Sequence, residues 1–232
     1  MKKIGTARIL GEGSRVTYDI DEVKSAHNIV SELIQKELKK FPSPDTIDFN
    51  LDDSEKANRV RNLLIALDEH RRSVIIRLVS ILEIGIHDYC KALQFELELS
   101  LSYSDLKGNI LEQFKDYTQK AINLNLPFDK ENWKSIKEIF ELRHLIVHHD
   151  GYLVGFNNKV FNRKKQILEL AKKYNFLILE DEELAIDLSE NTCDQVAEIA
   201  MEFCNIIYPA AIDHITSIVG DTSYEDDVEG PF

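Results

Sequence analysis

The chain contains several long segments in which apolar residues recur every three or four positions, a spacing typical of amphipathic helices. Short polar or proline-containing connectors separate these segments. The pattern predicts helices over residues 21–40, 54–99, 103–124, 129–149, 160–174 and 189–208. Pro42 and Pro44 end the first of them. Pro209 is expected to kink or break the last, with helix resuming through Val219.

The longest predicted helix, over residues 54–99, contains one glycine and no proline. Its polar stretch at 69–72 leaves open whether it forms one helix or two helices joined by a kink. Glu83 stands inside the most apolar part of this segment. Because burial of an unpaired carboxylate is very unfavourable, we expect Glu83 either to face out of the core or to have a partner.

Two shorter regions have a β-like pattern. Residues 4–10 and 15–20 flank the glycine-containing stretch 11–14 and predict an N-terminal hairpin. Residues 176–179 and 184–188 flank a short acidic segment and predict a second small hairpin. Only nine glycines and five prolines occur in 232 residues. The predicted fold class is therefore mainly all-α, a helical bundle with one or two small β-hairpins.

The composition of the chain limits the kinds of partner that it can bind and the compartments in which we expect to find it. The formal net charge of −13 argues against a general nucleic-acid coat, but it leaves room for a local basic site. No apolar run reaches about 18 residues and no apolar leader follows the first lysines, so we expect neither a membrane span nor a signal peptide. An odd number of cysteines without a CxxC motif favours a reducing compartment, and hence the cytoplasm. These cysteines are Cys90, Cys193 and Cys204.

The densest group of chemically active side chains lies near the end of the fourth predicted helix. Asp129 is a candidate N-cap of this helix and Gly151 a candidate stop. Three of the seven histidines fall within six residues there. His144 and His148 have i, i+4 spacing and should share one helix face. Arg143 lies about 140° around an ideal helix from His148, so the two would meet only by a long reach or across a partner surface.

This cluster resembles the signature of HEPN domains, which is an arginine, a polar residue, three further residues and a histidine. The matching positions here are Arg143, His144 and His148. Many members of that family have asparagine after the histidine, where this chain has His149. The match extends into a helix that ends near a glycine, as is common in the family.

The order of elements is also similar to that of HEPN domains. An apolar helix with the embedded Glu83 is followed by a further helix, the motif helix and a closing helix. The resemblance covers residues 54–218. It leaves residues 1–50 as an N-terminal hairpin and helix extension, and residues 221–232 as an acidic flexible tail.

The resemblance implies a metal-independent endoribonuclease that needs no cofactor and acts on RNA as a homodimer. It implies His148 as the acid/base group, Arg143 as the stabiliser of charge on the phosphate, and His144 as an orienting residue. Glu83 and His149 would support them. A toxin or defence component with an antitoxin-like protein partner is the implied setting. A basic stretch after the motif would hold the RNA backbone through Lys159, Arg163, Lys164 and Lys165.

Three other interpretations remain open. The same fold can serve as a non-catalytic dimerisation or partner-binding module. Arg143 can form a solvated pair with Glu138 or Glu141, while the histidines place positive charge at the helix C-terminus. The last alternative is a metal site built from His144, His148 and either His149 or Asp150.

Overall fold

The computed structural model describes residues 6–41, 55–149, 170, 172–174, 177–179, 185–189 and 191–219. This part of the chain is mostly helical, which confirms the mainly all-α part of the prediction. Five of its helices are α1 (Ala7–Leu38), α2 (Glu55–Glu96), α3 (Ile110–Asp116), α4 (Glu131–His149) and α5 (Thr192–Val219). Two short strands, β1 (Leu177–Leu179) and β2 (Ala185–Asp187), pair antiparallel with Ile178 opposite Ile186.

The predicted N-terminal hairpin is wrong, because α1 already begins at Ala7 and runs without interruption for 32 residues. Gly13 is not part of a turn. It lies where α1 meets α5, and a Cβ placed there would come within 2.8 Å of the Tyr208 ring. The inward positions of α1 recur with helical spacing through the segment assigned to the hairpin, namely Ile9, Gly13, Val16 and Ile20.

The segment predicted as one helix or two forms the single 42-residue helix α2. The side chains of its polar stretch make contacts within α2 and to neighbouring elements. Arg71 donates a hydrogen bond to the backbone carbonyl of Leu188 at 2.7 Å, and Arg72 pairs with Asp68 one turn earlier. On the opposite helix, the buried His27 of α1 places Nδ1 3.2 Å from Nε2 of His70.

The predicted continuous helix over residues 103–124 is also wrong. The structure has a 3₁₀ turn at Tyr103–Asp105, the short helix α3, and a π-helical turn at Tyr117–Ala121. Gly108 interrupts the segment with φ +111°, a left-handed conformation that glycine adopts without strain. Asn109 then caps α3 by accepting hydrogen bonds from two backbone N–H groups.

The ends of α4 and α5 differ slightly from the expected ones. Glu131 is the first residue of α4, so Lys130 rather than Asp129 occupies the preceding position. The predicted stop at Gly151 lies outside the described residues. Helix α5 continues through Pro209 to Val219.

One apolar core joins α1, α2, α4 and α5, and α3 packs at its side. Trp133 at the start of α4 is 6% exposed and packs against Phe114, Phe128 and Phe203. All three cysteines are buried free thiols in this core. Among the described residues, no helix combines the length and apolarity required to cross a membrane.

Candidate active site

The candidate site lies on the C-terminal half of α4. Apolar side chains at the helix positions between the motif residues are buried, and they fix how α4 is rotated on the core. They are Leu142, Leu145 and Ile146. This anchoring leaves Arg143 and His144 half-buried and His148 exposed. The motif residues are therefore accessible at the surface of the protomer.

Arg143 contacts Glu83 of α2, its Nη2 atom lying 4.0 Å from Oε2 of the carboxylate. The side chains are 28% and 32% exposed, respectively. The sequence left open whether Glu83 faces out of the core or has a partner; in the structure it is partly exposed and also lies beside Arg143. The Nε atom of Arg143 is buried and has no hydrogen-bond partner among the described residues.

His144 and His148 contact each other along α4. Their ring centroids are 4.5 Å apart and the ring planes are inclined by 46°. This geometry confirms the predicted shared face of the two histidines. The backbone of His149 closes the described part of α4, while its side chain lies outside the described residues.

A groove with a volume of about 700 Å³ opens beside Arg143. Its far wall is α3 with the residue that caps it, and its near wall is α4. Glu83 contributes from α2. The lining residues of the two walls are Asn109, Ile110, Leu111, Glu112, Lys115, Trp133, Lys137, Phe140, Glu141, Arg143 and His144.

The structure brings some of the predicted site residues together and leaves others untested. Glu83, Arg143 and His144 line one groove, and His148 joins them through its contact with His144. The predicted RNA-binding residues lie outside the described part of the chain: Lys159, Arg163, Lys164 and Lys165.

Most of the groove residues were not singled out from the sequence, among them Lys115, Lys137 and Phe140. Lys137 and Phe140 precede His144 by seven and four positions, so helical spacing alone places them on its side of α4. Lys115 comes from α3, and no local pattern connects it with the motif. Only the packing of α3 beside α4 brings it to the groove.

The charges in the groove are balanced, although the whole chain carries −13. The cations are Lys115, Lys137 and Arg143, and the carboxylates are Glu83, Glu112 and Glu141. Two of the carboxylates have structural contacts, since Glu83 pairs with Arg143 and Glu112 accepts a hydrogen bond from the Asn109 N–H at 3.0 Å. A phosphate group in the groove would therefore meet a surface with less net negative charge than the average surface of the protein.

The metal-site alternative depends on residues that are only partly described. Among the described residues, no three or more His, Cys, Asp or Glu side chains are grouped so that they could hold a metal ion. The Asp150 candidate and the side chain of His149 fall outside that set.

A polar bridge ties the N-terminal half of α4 to the helical residues 172–174. The ammonium of Lys173 donates to Glu138 at 2.7 Å, to Glu131 at 2.9 Å and to Ser135 at 3.1 Å. Partial burial alone would lower the pKa of Lys173, but the hydrogen bonds to Glu138 and Glu131 outweigh it and raise this pKa. Glu138 is therefore engaged by Lys173, and not solely a candidate partner of Arg143.

No protein-family model matches the chain, and searches of curated proteins and of solved structures likewise find no match.

Proposed function

We propose that the protein is a metal-independent endoribonuclease of HEPN type, in which Arg143, His144 and His148 act on the RNA backbone. One observation carries the proposal: Arg143 and the contacting pair of histidines lie together at an accessible helix end beside a groove. Buried ion pairs within the protomer would have argued against it. Arg143 is 28% exposed and His148 is exposed.

The proposed reaction is an internal transesterification. The 2′-oxygen of a ribose forms a bond to the adjacent phosphorus, and the bond from phosphorus to the 5′-oxygen of the next nucleotide breaks. A histidine base removes the 2′-hydroxyl proton, and a histidine acid protonates the departing 5′-oxygen, because imidazole exchanges protons near neutral pH. The products are a 2′,3′-cyclic phosphate and a 5′-hydroxyl end.

Arg143 would stabilise the negative charge that grows on the phosphate oxygens during this step. Glu83 would act as a positioning residue, because its carboxylate holds the guanidinium from the neighbouring helix. His144 would orient His148 through the contact of their rings, whose centroids are 4.5 Å apart. These roles require no metal ligand.

The resemblance further suggests a homodimer with both motifs facing one cleft. Two exposed apolar side chains near the site support this arrangement: Ile84 is 52% exposed next to Glu83, and Val147 is 43% exposed next to His148. Association of two copies would remove both side chains from water. A toxin or defence role and an antitoxin-like partner are suggested by the family resemblance alone.

The second candidate function is a non-catalytic dimerisation or partner-binding module. It is favoured by the ion pair itself, since Glu83 gives Arg143 a counter-charge within one protomer without any substrate. In that case the motif residues would stabilise the junction of α2 and α4.

Cleavage of RNA in EDTA separates the two candidates. We expect the wild-type protein to produce 2′,3′-cyclic phosphate ends, and His148→Ala and Arg143→Ala to lose at least about a hundredfold in rate. His87→Gln is the matched control, because His87 is half-exposed on α2 and is not part of the groove lining. Equal cleavage by wild type and His148→Ala would overturn the assignment of His148. Loss of activity on chelation would favour a metal site, and absence of cleavage by the wild type would favour the module.

A further inference from the structure

The groove extends well beyond the motif along α4. Its lining residues on this helix run from Trp133 to His144, which at 1.5 Å per residue is about 16 Å. These residues occupy one side of the helix: Trp133, Lys137, Phe140, Glu141, Arg143 and His144. The groove therefore leads away from the proposed reaction centre in a single direction, towards the N-terminus of α4.

The chemistry of this extension suits one kind of ligand. Phe140 is half-buried, with one side packed on the core and another lining the groove. Lys137 is exposed on the preceding turn, and Lys115 lines the groove from α3 with its Nζ 5.8 Å from the centroid of the Phe128 ring. An aromatic face next to lysine side chains is the combination that binds single-stranded nucleic acid, since bases stack on the ring and phosphates contact the ammonium groups.

We propose that this groove binds the single-stranded nucleotides on one side of the scissile phosphate, with one base stacked on Phe140 and a phosphate at Lys137. The inference rests on the proposed ribonuclease function, and it adds the substrate class and the residues that hold it. The 700 Å³ volume lies within the range of pockets that enclose small organic ligands, so it has room for a ligand the size of a nucleotide.

A single strand is required for a physical reason. A base can stack on Phe140 only when it has left its own helical stack, and the bases of an RNA duplex remain paired and stacked. The duplex also presents its phosphates on a broad surface, whereas Lys137 and Lys115 lie within the groove. The geometry therefore favours single-stranded RNA over a duplex of the same sequence.

The chain carries a reporter for this test. Trp133 is its single tryptophan and lines the end of the groove farthest from Arg143. A short 2′-O-methyl oligoribonucleotide cannot undergo attack by the 2′-oxygen, so it binds without being cleaved. We expect this single-stranded probe to change Trp133 fluorescence with saturation, and the same oligonucleotide in a duplex to leave it unchanged.

Two substitutions in the groove test whether Phe140 and Lys137 contact the bound oligonucleotide. Phe140→Leu keeps an apolar side chain against the core but removes the aromatic face, and we expect binding at least about fivefold weaker. Lys137→Gln should weaken binding and reduce the slope of log affinity against log salt by about one. Lys134→Gln is the matched control, because Lys134 lies on the same helix, is 64% exposed and is not part of the groove lining. We expect it to bind like the wild type.

The outcomes separate this inference from the proposed function. Saturable binding that both groove variants weaken, in a protein that cleaves no RNA, would support the groove and overturn the ribonuclease. Cleavage of single-stranded RNA that neither Phe140→Leu nor Lys137→Gln affects would leave the ribonuclease standing and overturn the groove. Equal binding of single strand and duplex, or equal weakening by Lys134→Gln, would also overturn it.

Discussion

The Tyr208 ring of α5 lies directly against Gly13 of α1, so closely that a Cβ at Gly13 would be 2.8 Å from the ring. Tyr208 also packs edge-on against Tyr89 of α2, with ring centroids 5.4 Å apart. The three helices thus meet around one tyrosine. This close approach explains a glycine in the middle of a long helix, where glycine is otherwise unfavourable.

Alanine substitutions at the two glycines of α1 should have opposite effects. Gly13→Ala forces a methyl group into the Tyr208 ring, and we expect a loss of about 1–3 kcal/mol in the free energy of unfolding. Gly11→Ala meets nothing within 4 Å, so its improved helix propensity should stabilise the protein by about 0.5–1 kcal/mol. Urea unfolding followed by circular dichroism measures both, and similar effects at the two positions would contradict the packing described here.

The pair formed by Glu83 and Arg143 predicts a specific kinetic effect. Glu83→Gln removes the charge that holds the guanidinium, and we expect kcat for RNA cleavage to fall about tenfold, or about 1.4 kcal/mol, with little change in KM. The effect should shrink in an Arg143→Lys background, since the two residues act as a unit. Glu69→Gln, an exposed carboxylate elsewhere on α2, serves as the control. Additive effects of the Glu83 and Arg143 substitutions would exclude a positioning role.

The stability that the hydrogen bonds between Lys173 and α4 provide should depend more on Glu138 than on Glu131. Glu138 is 17% exposed and binds both Lys173 and the Tyr174 hydroxyl. We expect Glu138→Gln to lower the free energy of unfolding by about 1–2 kcal/mol. Glu131 is 68% exposed, so Glu131→Gln should produce little measurable change. Thermal unfolding of both variants provides the comparison, and a larger loss for Glu131→Gln would refute the assignment.

Because the thiols are buried, we expect the free energy of unfolding to fall at alkaline pH. Burial raises the pKa of Cys193 and of Cys204 to about 12, above the ordinary thiol value of 9.0. Their neutral forms are favoured in the folded state, so their contribution is fully present below the unfolded pKa and is lost as pH rises towards the folded one. Between these values each thiol should lower the free energy of unfolding by up to about 1.4 kcal/mol per pH unit.

Urea unfolding at a series of pH values above 9 measures this slope. Cys193→Ala should make the slope shallower whatever it does to stability at neutral pH. A pH-independent free energy of unfolding across this range would show that the thiols ionise equally in both states.

The proposed homodimer predicts that one exposed valine controls association. Val147 is 43% exposed beside the motif, and Val147→Glu would place a carboxylate in the proposed interface. We expect the wild type to have the mass of a dimer in light scattering, and Val147→Glu to be a monomer with impaired cleavage. Leu33→Glu changes a 62%-exposed side chain of α1 and should leave the dimer intact. A monomeric wild type that cleaves RNA would overturn the requirement for two copies.

Part of the candidate site could be predicted because helical spacing is local. The shared face of His144 and His148 follows from 3.6 residues per turn, and their rings are 4.5 Å apart. The expectation that Glu83 either faces out of the core or has a partner also needed only the unfavourable burial of a carboxylate. That this partner is Arg143 was outside the reach of local spacing, since it depends on how α2 and α4 pack.

The errors at the N-terminus and around residues 103–124 have physical causes. Gly11 and Gly13 were interpreted as turn residues, since glycine permits turns, yet at Gly13 the absent side chain serves close helix packing. Around Gly108 the error was the opposite one, because a glycine that interrupts helix was overlooked. The helical spacing of apolar residues continues past Gly108, although its backbone has a left-handed conformation that an α-helix does not contain. Glycine has both uses, and the tertiary environment distinguishes them.

The amino-acid sequence by itself determined the helical class and the shared face of His144 and His148, because both depend on the spacing of side chains along a single helix. The tertiary structure decided that residues 7–38 form one helix, that Glu83 pairs with Arg143, and that Lys115 of α3 lines the same groove as Lys137 of α4. These features join residues far apart in the chain. Their energies arise from contacts between helices, which no local pattern records.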